Sequence, residues 1–480
     1  MAKNRDFSEN YLVLKPEDAT GFDLVRILSS RDFGKRDFFS SSFDEGELIV
    51  GFRQRWILLV SVFLQKILIR LKTPMAAVGN AVELGLNYPP ANGGFCRLLF
   101  NFFAGRLVRP ERSSETFTSI IGNLDKRFDL DLNFQKHHTE NKNNNKYASL
   151  AIMASKLSYE NQAFVQNIVT HHWQMEFLGF YSFWNDYQET NSTHAILFRQ
   201  RSGGGGGTLI VVAFRGTAPF DADAWRTDID ISWHQFKGVG KIHRGFMKAL
   251  GMQKSDGWPK ELRRRRCREF AYYRIREELK TLISEDEGAK FILTGHSLGG
   301  ALAVLFAGVL AMHEEAAVLR RLEGVYTFGQ PRVGDSHFGD YLKAKMDFYH
   351  VNYYRYVYCN DLIPRLPYDD WTFSFKHFGP CLYFNSRYNG QVLEEEPNKN
   401  YFSLLHLVPM TLNAFYELLR GFILPWSNGD QYKEGWFMKL FRIMALVAPG
   451  LTNHCLSDYV NITRLGRLSL SPSSSIHPRE

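Results

Sequence analysis

Four short apolar runs recur through the middle of the chain, at residues 208–214 (Thr-Leu-Ile-Val-Val-Ala-Phe), 290–294 (Lys-Phe-Ile-Leu-Thr), 322–328 (Leu-Glu-Gly-Val-Tyr-Thr-Phe) and 350–358. Their lengths and β-branched content predict strands. Between them the spacing predicts helices near 244–252, 262–283, 298–313 and 336–347. The third of these is apolar almost all round, as befits a helix buried against a sheet. Strands alternating with helices predict an α/β fold, with a sheet covered by helices on both faces.

The flanks read differently. Trp56 to Ile69 is the most lipid-like segment, interrupted by Lys66 and flanked by Arg53, Arg55, Arg70 and Lys72. It is too short to span a bilayer, which takes about 20 apolar residues. Pro74 is expected to end this helix, and a second, weakly apolar run from Met75 to Leu86 leads to Pro89-Pro90. Two arms around a proline fit a shallow hairpin on a membrane or droplet, basic flanks on anionic head groups. A core helix of an N-terminal subdomain fits equally well. The polar string at 141–146 reads as a linker, dividing an N-terminal region (1–145) from a second domain (146–470), with a Ser-rich disordered tail at 471–480. Tyr401 to Pro425 is strongly apolar, with Glu417 and Arg420 its only charges. Burial as core is the expectation there, ahead of lining an acyl channel or touching lipid.

Composition narrows the class. Apolar residues make up 45% of the 480, with 39 Phe, 22 Tyr and nine Trp, which excludes a disordered, collagen-like or disulfide-rich chain. The net charge of +8 suits an anionic surface without arguing for nucleic acid. Five scattered cysteines (Cys96, Cys267, Cys359, Cys381, Cys455) have no zinc-ligand spacing and point to a reducing compartment. The first twenty residues hold no apolar signal core, so the glycosylation tripeptides at Asn191 and Asn461 are expected to be silent. Gly203 to Gly207 precede a strand, and Ile242 stands where a phosphate loop requires Ser or Thr after Gly238-Val-Gly-Lys241; neither is a nucleotide site. Arg263 to Arg266 with Arg268 read as the solvated, basic start of the helix at 262–283.

The chemistry concentrates at Thr294-Gly-His-Ser-Leu-Gly-Gly300, between a predicted strand and the apolar helix. A serine on a sharp strand-to-helix turn needs small neighbours, and Gly295, Gly299 and Gly300 supply them. Its hydroxyl becomes a nucleophile when a histidine takes its proton and a carboxylate orients that histidine, in the chain order Ser, Asp, His for such sheets. Asp361, just after the strand at 350–358, is the favoured carboxylate over Asp335 and Asp340. Among the later histidines, His454 lies in the loop 449–455, His377 in an aromatic strand-like run, His406 in an apolar segment and His477 in the tail. The residues alone favour His454 and leave His377 open. Asp221, Asp223, Asp228 and Asp230 lack a full ligand set and read as a solvated loop, with no metal.

Phe214-Arg-Gly-Thr217, His243-Arg-Gly-Phe246, the serine motif, Tyr326 to Gly334, Asn360-Asp361 and His454 together resemble the fungal-lipase-like class 3 lipases over roughly residues 150–467. Phe214 to Trp225, with Asp228 and Ser232-Trp233, resembles the plant oil-body triacylglycerol lipases within that family. The resemblance implies an α/β-hydrolase-like lipase domain behind a membrane- or droplet-associating helical region. It implies a Ser297, Asp361, His454 triad, an oxyanion hole from Thr217 and the Leu298 N–H, and no cofactor. It also implies a lid at roughly 220–233, whose Phe220, Trp225 and Trp233 would meet lipid. The implied function is triacylglycerol hydrolysis at a lipid droplet or intracellular membrane, on its cytosolic face, with no nucleic-acid partner. A phospholipase A1 or galactolipase with the same triad, and a non-catalytic droplet scaffold, are the rival readings.

Overall fold

Thirteen strands are present among the described residues of the computed structural model, which are 7–29, 37–42, 51–130, 147–201, 207–253, 257–262, 268–369, 375–399, 404–444 and 446–469. They are β1 (Asn10–Leu14), β2 (Phe39–Ser41), β3 (Glu176–Asn185), β4 (Thr190–Gln200), β5 (Leu209–Phe214), β6 (Trp233–Phe236), β7 (Gly240–His243), β8 (Lys290–His296), β9 (Leu322–Phe328), β10 (Asn352–Tyr358), β11 (Cys381–Phe384), β12 (Asn389–Leu393) and β13 (Arg467–Ser469). Nine of them form one mixed sheet in the order β13-β12-β11-β10-β9-β8-β5-β4-β3, parallel from β5 through β8, β9 and β10 to β11.

The central strand β5 is apolar along its whole length because both faces are covered. In β5, Ile210, Val212 and Phe214 join the core beneath the helix Leu298–Met312, while Val211 and Ala213 join the core beneath the helix Ala148–Leu157. The alternating sides follow from the two-residue period of a strand. The predicted strands all form: the second runs two residues further, to His296, and the fourth starts at Asn352. The helices Arg244–Leu250, Leu298–Met312 and Ser336–Tyr349 lie where expected. The helix expected at 262–283 begins only at Ala271, because Phe270 has extended backbone at its N-cap. Its basic start at Arg263–Arg266, the linker 141–146, Gly203–Gly206, His477 and the tail 471–480 lie outside the described residues.

Pro74 does not end its helix. A single 40-residue helix runs Phe52–Ala91 with Pro74, Pro89 and Pro90 inside it. Contacts on both sides of Pro74 hold it to residues 220–229: Ser61 Oγ donates to the Ile229 carbonyl (3.0 Å), Lys72 Nζ pairs with Asp223 (2.6 Å), and Phe220 packs on Gly79. Tertiary packing outweighs the one backbone hydrogen bond a proline removes. Among the described residues no helix is long and apolar enough to cross a membrane. The N-terminal residues also add β2 and β1 to β6 and β7 as a small antiparallel sheet. Leu12, Leu14, Phe38, Leu58 and Val62 share one core with Ile231, Trp233 and Phe375.

Among the described residues of the apolar stretch expected at 401–425, most side chains are not core. They belong to the helix Leu404–Asn428, which turns Met410, Ala414, Glu417 and Arg420 inward and leaves most of its aliphatic and aromatic side chains exposed. The two charges face inward because they have buried partners there. Arg420 bonds Asp458 (3.0 Å), and Glu417 lies 3.4 Å from Arg442 of the helix Trp436–Met444.

Candidate active site

Ser297 follows β8 directly, with φ +57° and ψ −131°, in the left-handed half of the map. Its N–H donates to the Phe328 carbonyl at the end of β9 (2.9 Å), which fixes the turn at the C-terminal edge of the sheet. The fold permits this only with glycine on either side. A Cβ on Gly295 would lie 2.1 Å from the Gly299 carbonyl carbon, and one on Gly299 would lie 2.2 Å from the Phe214 carbonyl oxygen. A non-glycine residue held at positive φ stores strain that the surrounding packing must sustain.

Three residues after β10 ends, at the same sheet edge, stands the fully buried Asp361. Its Oδ2 lies 2.8 Å from His454 Nδ1 and accepts the Tyr459 hydroxyl at 2.5 Å, while Oδ1 accepts the Ile363 N–H at 2.9 Å. His454 occupies a short 3₁₀ turn, Thr452–His454. With Nδ1–H donated to the carboxylate, Nε2 is the nitrogen left to accept a proton. The His454 backbone is tied to the serine turn itself. Its carbonyl accepts from His296 Nε2 (2.8 Å), and the two imidazole rings stack with centroids 4.5 Å apart. Donation from Nε2 leaves His296 Nδ1 to accept the Tyr159 hydroxyl (2.9 Å). Burial, with His454 adding, holds the His296 imidazole well below its ordinary range, so it stays neutral.

The Gly216–Thr217 turn closes the other side. A Cβ on Gly216 would come within 3.1 Å of Ser297 Cβ. Thr217 Oγ1 donates to Asp228 Oδ2 at 2.8 Å. Burial raises the Asp228 carboxyl to about 7, against the hydrogen bond from Thr217 and with a smaller push from Asp221. Leu298 opens the helix Leu298–Met312, and the first N–H groups of a helix have no intrahelical acceptor. Ser297, Thr217 and Leu298 are all buried, so the site is covered.

Ser297, Asp361, His454, Thr217 and Leu298 thus converge, and the rivals stand elsewhere. The side chain of His377 is buried and its Nε2 meets the Pro364 carbonyl (2.7 Å). His406 lies on the helix Leu404–Asn428, Asp335 caps the helix Ser336–Tyr349, and Asp340 is exposed on that helix. The four aspartates of 221–230 have separate partners. Asp221 caps the helix Ala222–Ile229, Asp223 pairs with Lys72, Asp228 takes Thr217, and Asp230 accepts Ser232 (2.6 Å). Trp233, expected on a lipid-facing lid, is fully buried in β6, where the small sheet encloses it and Lys241 Nζ lies over its ring. Phe220 and Trp225 are half-buried. Sequence reasoning missed Tyr159, His296 and Tyr459. His296 lay within the serine motif itself, in a position the motif leaves free.

Residues 211–371 match the family described as lipase (class 3). The chain is 41% identical to the triacylglycerol lipase OBL1 of Arabidopsis thaliana over 95% of both chains. It is 36% identical to triacylglycerol lipase OBL1 of Ricinus communis, over 98% of this chain and 97% of that one. The chain belongs to the class 3 lipases. Triacylglycerol lipase OBL1 of Nicotiana tabacum, 40% identical over 88% of this lipase and 85% of its own length, is a further relative. This lipase is therefore a carboxylic ester hydrolase of mixed-sheet lipase fold.

Proposed function

We propose that this lipase hydrolyses the ester bonds of triacylglycerol at a lipid surface. His454 Nε2 takes the Ser297 proton as Oγ attacks the acyl carbonyl, and Asp361 holds the imidazole and stabilises its charged form. Thr217 and the Leu298 N–H stabilise the developing oxyanion, helped by the N-terminus of the helix Leu298–Met312. His454 then protonates the departing glycerol oxygen; water, deprotonated by the same nitrogen, releases the fatty acid from the acyl-enzyme. The cycle needs no metal or cofactor.

The observation that carries this reading is the His454–Asp361 pair hydrogen-bonded through His296 to the strained Ser297 turn. The names of the three relatives supply the substrate class. Residues 146–470 carry the chemistry, residues 220–233 act as the lid, and residues 1–145 contribute lipid association at a droplet or intracellular membrane, facing the cytosol. The test is fatty-acid release from emulsified long-chain triacylglycerol and from phospholipid vesicles. Wild type is expected to prefer the triacylglycerol, and Ser297→Ala to lose at least about 10⁴-fold. Cleavage of a short soluble ester without triacylglycerol hydrolysis would refute the substrate; preference for vesicles would favour a phospholipase; activity surviving in Ser297→Ala would refute the nucleophile.

A further inference from the structure

The helices Leu404–Asn428 and Trp436–Met444 pack on one another with polarity reversed relative to water. On the first, Leu405, Val408, Leu412, Phe415, Leu419, Phe422 and Trp426 recur every three or four residues along one exposed stripe. Leu405 is 87% exposed, Trp426 92%, and Val447 beyond the second helix 90%. The second helix repeats the arrangement, with Trp436, Leu440 and Ile443 outward and Arg442 inward. Inside, Arg442 bonds both oxygens of Asp458 (3.0 Å each) and Glu434, and Arg420 bonds Asp458 and the Tyr358 hydroxyl. A helix pair facing only water would put these charges outside and its leucines inside.

We propose that this outward stripe is the surface by which the lipase seats on a phospholipid-coated neutral-lipid surface, a reading that rests on the proposed triacylglycerol substrate. Three observations select lipid as the occupant. Glu417 and Glu434 are drawn into the buried cluster, while Lys439 lies over the Phe422 ring at the edge of the stripe. The rim thereby offers an ammonium group, and no exposed glutamate from this pair, to anionic phosphates. Two tryptophans flank the aliphatic stripe, the side chains favoured at a head-group boundary. The module is also continuous with the catalytic loop: Glu417 Oε2 accepts Asn453 Nδ2 at 2.6 Å, one residue before His454. Seating the stripe on lipid sets the triad's loop at the interface where the substrate emerges.

The test uses the full chain and droplets of a non-hydrolysable trialkyl glycerol ether coated with phosphatidylcholine and phosphatidylserine. Leu405→Glu/Trp426→Glu/Val447→Glu alters only exposed side chains. It is expected to reduce droplet flotation and hydrolysis of emulsified triolein on the order of a hundredfold, while cleavage of a soluble butyrate ester stays within about twofold. Phe95→Glu/Phe103→Glu, on the exposed helix Phe95–Phe103, is the comparison. Undiminished flotation of the triple variant overturns the proposal, as does a stripe that proves to hold two copies of the chain together, seen as a dimer that the triple variant converts to monomer without loss of flotation. Brominated acyl chains give a second readout that requires no added charge: their quenching of tryptophan fluorescence should fall in Trp426→Phe/Trp436→Phe, and unchanged quenching counts against the stripe. A wild type that floats and is quenched but releases no fatty acid from triolein leaves this docking surface standing and refutes the substrate reading instead.

Discussion

Replacing Asp228 with asparagine probes how the candidate oxyanion hole is wired. The carboxyl is fully buried; Oδ2 accepts the Thr217 hydroxyl, and Oδ1 has no hydrogen-bond partner among the described residues. Burial accordingly raises it from an ordinary 3.8 to about 7. An acid whose folded value lies above its unfolded one stabilises the fold below the lower value and loses that stabilisation as pH rises through the upper one. The whole difference corresponds to about 4 kcal/mol, of which about 2 to 3 kcal/mol is lost between pH 5 and pH 8. Asparagine keeps the shape and an acceptor for Thr217 but never ionises. In urea titrations, wild-type stability should fall between pH 5 and pH 8 by about 2 to 3 kcal/mol more than that of Asp228→Asn. Glu160, which burial also raises to about 7, contributes to both proteins and cancels in the difference. Parallel stability curves would show that Asp228 ionises in the fold as easily as in the unfolded chain, and would refute the reasoning.

Tyr459→Phe removes one donor to Asp361 and leaves the Ile363 N–H and His454 in place. We expect kcat on a soluble ester to fall about tenfold with KM unchanged; an unchanged kcat would show that the hydroxyl does not position the carboxylate. Gly295→Ala sets a methyl group 2.1 Å from the Gly299 backbone, between β8 and the helix after it. The variant should lose about 3 kcal/mol or more, read as a lowered thermal midpoint, and a wild-type midpoint would refute the close approach.

What the sequence disclosed follows from where each signal resides. The parallel strands were readable because helices on both faces leave no polar alternation, so β5 stands out as an unbroken apolar run and β8 by its apolar stretch Phe291-Ile-Leu293. Ser297 was readable because the glycines around it are a local steric requirement. His454 was harder: its distinguishing feature is a hydrogen bond to a residue 93 positions earlier, and its loop position favoured it over the strand-like run of His377 without closing the choice. The helix Leu404–Asn428 was misjudged for a similar reason. Periodicity defines a stripe but not which side faces in, and charges usually mark the water side. Glu417 and Arg420 reverse that rule because Arg442 and Asp458, distant in the chain, meet them indoors.

The long helix Phe52–Ala91 sets a limit on how lipid association by the N-terminal region can be examined. Deleting residues 56–86 would remove more than an apolar surface. It would take Leu58 and Val62 from the core around Trp233, Ser61 from the Ile229 carbonyl, Lys72 from Asp223, and the bed on which Phe220 rests. Each of those contacts supports residues 220–233, so a deleted protein that left the droplet would have lost its anchor and the bracing of its lid together. Phe63 and Val78 point outward from the same helix. Charged substitutions there leave every inward contact intact, and so separate binding to lipid from support of the lid. Whatever binds the outward side of this helix binds an element already packed against the segment proposed as the lid, and the two sides have to be perturbed one at a time to tell location from catalysis.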